Sequence, residues 1–194
     1  SVVRRQRQMC IRDRSKGGSY YTPKEIVDEL IDSLQSKGKT FLDPCCGTGQ
    51  FLLTAAEKGF EMDQLHGIDI DPIAVRICRL NLLFTFSRVD APPKVFHANS
   101  LGGPKDSDPN ISGLTAEIPH ESFDIVSTNP PWGLAFSPED KQRLAVQYPQ
   151  LHSHESFSYF LLKSLEWLKT GGTLSFVLPK SILNIKTHSD IRQL

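Results

Sequence analysis

No run of about eighteen apolar residues occurs in the 194-residue chain, and such a run is what a membrane-spanning helix requires. No basic leader running into an apolar stretch opens it either, so the sequence is read as soluble, not exported and cytoplasmic. Cysteine is scarce. Cys10, Cys45, Cys46 and Cys78 show no CxxC or Cys/His ligand spacing, and adjacent Cys45 and Cys46 do not readily bridge each other, so neither a disulfide framework nor a zinc site is expected. Internal repeats and heptads are missing, which sets aside solenoids and coiled coils. An excess of charge is missing too, with 22 basic and 22 acidic side chains.

That balance hides an asymmetry. Residues 1–16 carry Arg4, Arg5, Arg7, Arg12, Arg14 and Lys16 against Asp13, leaving 16 basic and 21 acidic side chains in the rest. A basic arm of this kind often touches nucleic acid. Here the stretch Met9-Cys10-Ile11-Arg12-Asp13-Arg14 resembles the in-frame translation of a sequencing adapter. Residues 1–15 are therefore set apart as a non-native or disordered segment, and 16–194 are read as one domain.

What is present is orderly from Thr22 on. Thr22-Pro23-Lys24-Glu25 reads as a helix start with Thr as cap, and Ile26, Val27, Leu30, Ile31 and Leu34 follow at helical spacing up to Gly38. Strands are expected at 40–46, 64–70, 94–99, 123–128 and 173–179. Helices are expected over 51–58, 72–86 and 156–169, the second capped by Asp71 and turning Ile73, Val75, Ile77, Leu80 and Leu83 partly inward. Residues 102–122 read as loop. Strands of nearly continuous Val, Ile, Leu and Phe alternating with helices give an α/β fold with a mostly parallel sheet covered on both faces. Ligands of such sheets sit beyond the carboxyl ends of the strands.

The unusual chemistry falls at those ends. In "DPCCGTGQF" (43–51), Gly47 and Gly49 let the backbone approach a ligand ahead of a helix, although a glycine turn between strand and helix serves equally well for a lone GxG. The third glycine of the dinucleotide fingerprint is replaced by Leu52, which disfavours a pyrophosphate ligand. Asp69, about twenty residues on, stands where a carboxylate can accept both hydroxyls of a ribose, whereas Asp71 is placed to cap the next helix. In "DIVSTNPPWG" (124–133), a buried strand runs into Asn129, Pro130, Pro131 and Trp132. The two prolines stiffen the backbone. The Asn129 side chain and the Pro130 carbonyl then form a rigid pair of acceptors, with Trp132 able to stack beside them. Such a pair suits a planar amine, whose lone pair is freed when the acceptors favour the pyramidal form. An ordinary Asn-Pro turn accounts for NP or PP, but poorly for four specialised residues in succession.

With these motifs in view, "GSYYTPKEIVDELI", "DPCCGTGQFL", "GIDIDPIAV", "HANSL", "STNPPWG" and "GGTLSFVLPKSIL" together resemble the amino-methyltransferases that use S-adenosylmethionine. Within them the chain resembles the adenine-N6 DNA methyltransferases of restriction-modification systems, of the type I methylation subunit and type IIG-like kind, over nearly all of residues 18–194. The resemblance implies a Rossmann-like class I methyltransferase fold, with the last two strands of that fold lying past the end of this sequence and strand five left as an unpaired edge. It implies that Tyr21, Thr22 and Pro23 border the methionine part of the cofactor, that Asp43, Cys45, Gly47 and Gly49 surround its carboxylate and ammonium, and that Asp69 holds the ribose. Ile70 would pack on the adenine ring, with Asn99 and Ser100 at its amino end, and Asn129, Pro130, Pro131 and Trp132 would be catalytic. Asn99 stands where the family often has Asp, and Trp132 where it often has Tyr or Phe.

The activity implied is methyl transfer to the exocyclic amino group of a flipped-out adenine in DNA, without metal or covalent enzyme intermediate. Methylation of RNA or of a protein glutamine amide, and a silent methylase-like module, are the alternatives. Because residues 17–194 are acidic and phosphate binding draws on Lys and Arg, the expected partner besides DNA is a specificity subunit or a recognition region outside this sequence. His152 and His154 read as a polar loop, Cys45 and Cys46 as packing residues, Trp167 and Leu168 as core, and 133–154 as a mobile wall of the target pocket.

Overall fold

The computed structural model describes residues 22–102, 118–151 and 155–178. Expectations for residues 1–21, including Tyr21, for 103–117 and for His152 and His154 lie outside the described residues. Helix α1 (Lys24–Asp32) is followed by β1 (Phe41–Asp43), α2 (Gln50–Glu57), a 3-10 turn (Met62–Gln64), β2 (Leu65–Asp69), α3 (Pro72–Phe86), β3 (Lys94–His97), β4 (Phe123–Thr128), α4 (Pro138–Gln147), α5 (Ser156–Trp167) and β5 (Leu168–Phe176). The five strands form one sheet in the order β3-β2-β1-β4-β5, every pair parallel. Strand order reverses between β1 and β4, and a crevice opens at their carboxyl ends. Among the described residues no helix is long and apolar enough to cross a membrane.

Alternation along the strands divides the core. Phe41, Leu65, Val95 and Ile125 face α1, α2 and α3, while Leu42, Ile68 and Val126 face the other way, toward Trp167, as side chains of period two must. Phe157, Phe160, Leu161 and Leu162 of α5 join Leu144 and Tyr148 in a third apolar cluster near the strand tips.

Several local expectations change. Pro23, not Thr22, stands at the N-cap of α1, with no side-chain capping bond. On α3, Asp71 does cap, accepting from the Ile73 N–H at 2.8 Å, but the buried face is Val75, Cys78 and Leu82, while Ile73, Ile77 and Leu80 are exposed. Strand β5 begins at Leu168, earlier than its apolar pattern suggests. Gly171 and Gly172 lie inside it, at a bulge where the register with β4 jumps from Phe123↔Leu168 to Ile125↔Thr173. Gly171 has φ +79°, and a Cβ on Gly172 would lie 2.9 Å from the Asp124 carbonyl oxygen, so the bulge requires both glycines. The 133–154 segment contains α4, begun by Ser137, whose Oγ accepts from the Asp140 N–H at 3.1 Å, with Pro138 at the first position.

Candidate active site

Loops at the tips of β1 to β4, closed by α4 and α5, enclose a cavity of about 290 Å³. Of the residues singled out from sequence, Cys45, Gly47, Asp69, Ile70, Asn99, Ser100, Asn129 and Pro131 line it together. The glycine loop is held in place by Asp69, whose Oδ2 accepts from the Gly47 N–H at 2.7 Å and whose Oδ1 accepts from the Asp71 N–H at 2.9 Å. Burial raises the Asp69 carboxyl above its ordinary range, against these bonds. A Cβ built on Gly47 meets no atom within 4 Å, so at this cavity wall the loop leaves open space beside its backbone.

Asn99 forms a closed turn. Its Oδ1 accepts from the Leu101 N–H at 3.0 Å and its Nδ2 donates to the Gly102 carbonyl at 3.2 Å. The Ser100 hydroxyl fastens that turn to the Pro44 carbonyl at 2.5 Å. At the tip of β4, Asn129 Nδ2 donates to Thr22 Oγ1 at 2.9 Å, which fixes the amide. Its Oδ1 is buried and has no hydrogen-bond partner among the described residues. A buried acceptor left unbonded is costly, and one at the wall of a cavity is placed to take an N–H from a ligand.

Other sequence-derived positions do not reach the cavity. Thr22 is buried and serves Asn129, while Pro23 is exposed at the start of α1. Asp43 is 1% exposed and lies beneath the glycine loop, accepting from the Thr128 hydroxyl at 2.6 Å and the Cys45 N–H at 3.0 Å. Burial, only partly offset by those bonds, pushes its carboxyl up to about 7. Gly49, at φ +100°, sits where a Cβ would be 2.7 Å from Cys78 Sγ, so its role is close packing of the loop on α3. Pro130 is buried without lining the cavity. Trp132 packs on the apolar cluster of α4 and α5 rather than over the cavity, because the chain is drawn toward α5 by the Ser156 hydroxyl, which donates to the Pro131 carbonyl at 2.5 Å. Burial raises the Cys45 thiol, and contact with Cys78 followed by burial raises the Cys46 thiol, which fits packing rather than nucleophilic roles.

Pro44, Ala98, Leu101, Leu134, Ala135, Phe136, Asp140, Arg143 and Phe160 complete the wall; none was named individually from the sequence, although positions 134–136, 140 and 143 fall within the 133–154 segment read as a wall of the target pocket. Phe160 lies in the helix expected over 156–169, where nothing in the sequence sets it apart from its apolar neighbours. Asp140 and Arg143 were hidden because α4 was not expected, although Ser137-Pro138-Glu139 is a helix-start signal. Among the described residues no group of three or more His, Cys, Asp or Glu could hold a metal ion.

The sequence profile of the N-6 DNA Methylase family matches residues 7–194. The chain belongs to this family. Type II methyltransferase M.VspI of Vibrio sp. (strain 343) is 33% identical over 186 residues, covering 93% of this chain and 41% of that protein. The type I restriction enzyme EcoEI methylase subunit of Escherichia coli is 25% identical, over 89% of this chain and 35% of the subunit. The rRNA N(6)-adenosine-methyltransferase metl-5 of Caenorhabditis elegans is 32% identical, over 76% and 65%. In fold, the chain resembles the protein of the DrdV–DNA complex with a TM-score of 0.70 at 19% identity, covering 91% of this chain and 22% of that one. The chain thus spans about two fifths of M.VspI and about a third of the EcoEI subunit.

Proposed function

We propose that this family member transfers a methyl group from S-adenosylmethionine to the exocyclic amino group of adenine in DNA. The observation that carries the reading is the buried Asn129 Oδ1, unbonded among the described residues, in the same cavity as Asp69 and Asn99. The residues fit the cofactor. Asp69 keeps lone pairs for the ribose hydroxyls, Ile70 and Phe160 offer apolar surface to a purine, and the open backbone at Gly47 leaves room for the amino-acid end. When bound, the cofactor supplies an electrophilic sulfonium methyl.

The chain's own contribution is to hold the acceptor. Asn129 Oδ1 takes one N–H of the target amine, which favours the pyramidal nitrogen and its free lone pair. The stiff Pro130-Pro131 segment keeps that oxygen in place, and the proton released goes to solvent. The target base must leave the duplex for its amine to reach the buried Asn129 Oδ1. The likeness to the EcoEI methylase subunit and the acidic balance of residues 17–194 support a partner or further region that supplies the phosphate contacts, and a DNA substrate supports a cytoplasmic location.

Labelled methyl groups from S-adenosylmethionine are expected at adenine N6 in unmethylated, PCR-amplified DNA. Asn129→Ala is expected to lower that incorporation by about 100-fold, as loss of one pre-placed hydrogen-bonding group does, with cofactor binding retained. The likeness to metl-5 favours RNA as the second reading, and label entering rRNA in place of DNA would establish it.

A further inference from the structure

The wall of the cavity is tied together by polar contacts that join the turn carrying Asn99 and Ser100 to α4. Arg143, on α4, donates from Nη1 to the Leu101 carbonyl at 2.7 Å and from Nη2 to Asp140 Oδ1 at 3.3 Å. Asp140 Oδ2 in turn accepts from the Ser137 hydroxyl at 2.8 Å. On the other side, the Asn99–Gly102 turn is fastened to the glycine loop through Ser100 and Pro44. Pro44, Asn99, Ser100, Leu101, Asp140 and Arg143 all line the cavity. A guanidinium fork that holds a carbonyl and a carboxylate at once fixes direction as well as distance. The helix it fixes, α4, begins at Pro138, six residues past Trp132 of the Asn129–Trp132 motif. Beyond Arg143, α4 is anchored by Leu144, which is fully buried.

We infer that Arg143 is a positioning residue that latches the Asn99–Gly102 turn to α4, so that filling the cofactor site orders the wall of the target pocket. The inference rests on the methyltransferase reading of this cavity. A ligand seated against Asn99 and Ser100 holds the Leu101 carbonyl still, and Arg143 passes that restraint to α4 through a bond already formed. By linkage the effect is reciprocal, so an acceptor that orders α4 tightens cofactor binding by the same factor.

The test uses the full chain with S-adenosylhomocysteine as probe, read by amide hydrogen exchange over 134–147 and by calorimetric affinity. In the wild type the probe is expected to slow exchange across α4. In Arg143→Met it is expected to bind roughly tenfold more weakly, within the ordinary range of site-to-site coupling, and to leave α4 exchange unchanged. Arg143→Lys, which keeps one donor for the Leu101 carbonyl, is expected to restore part of both effects. A merely structural role for Arg143 would speed exchange with and without probe and keep the probe-dependent difference, which would overturn the inference. Wild-type protein that binds the probe without slowing α4 would overturn it alone, and needs no variant to fold. Wild-type protein that binds no probe would overturn the methyltransferase reading as well.

Discussion

Asp43 shows how a residue can matter to a site it does not touch. Its carboxyl stays protonated in the folded chain up to about pH 7, whereas an exposed aspartate ionises near 3.8. Between those values the folded chain binds more protons than the unfolded one. The contribution of Asp43 to stability is therefore complete below about pH 3.8 and is lost as pH rises to about 7, an effect of at most about 4 kcal/mol. Asp43→Asn keeps an acceptor for Thr128 and Cys45 and removes the titration. Urea unfolding from pH 4.5 to 7.5 is expected to show wild type losing stability relative to the variant, and parallel pH curves would show that Asp43 is ionised in the fold. The residues whose place at the cavity was legible in the sequence are those whose own chemistry is unusual: Asp69, Asn99 and Asn129 at strand ends, and Gly47 in the loop. Thr22, Asp43 and Trp132 were misplaced because their positions depend on partners distant in sequence, Asn129, Thr128 and the α5 cluster.

At the scale of elements, β4 was legible because a buried strand leaves a dense apolar run, and β2 and β3 were legible from shorter apolar stretches ahead of Asp69 and Asn99. Helix α3 was legible in extent but not in orientation. Its apolar residues occupy more than one face, so periodicity alone could not choose between Val75-Cys78-Leu82 and Ile73-Ile77-Leu80, and packing on β2 and β3 made the choice. Two substitutions in its last turns separate the faces. Leu82→Ala, at a fully buried position, is expected to cost about 2–5 kcal/mol. Phe84→Ser, at 78% exposure, is expected to change stability by less than about 0.5 kcal/mol. Equal losses by chemical denaturation would contradict the observed orientation. Helix α4 escaped notice for a different reason. Among its residues only Leu144 is buried, and a helix with so narrow an apolar face has little periodicity to detect.

For the whole molecule, the closing contact lies at the base of the sheet, opposite the cavity. Asp124 accepts from the Thr40 N–H at 2.9 Å, the Thr40 hydroxyl at 2.8 Å and Lys169 Nζ at 2.9 Å. Burial works against the charge, but these bonds outweigh it and hold the carboxyl well below the ordinary aspartate range. Its support is therefore present above about pH 4 and is lost only in stronger acid. Asp124→Ala is expected to cost about 2–3 kcal/mol at neutral pH, since it strands the Thr40 donors and frees a charge-assisted bond, with a correspondingly lower melting temperature and little change in cofactor affinity. The same contact has a kinetic meaning. The three residues of β1 are the sheet's centre, yet the neighbour on one side, β4, is more than eighty residues downstream, as the Phe41↔Ile125 pairing records. On a ribosome, β1, β2 and β3 emerge with one flank of the middle strand open, and the sheet cannot close until β4 has been synthesised. Such long-range pairing makes for slow folding, and newly made chains would reach the native state late and all at once.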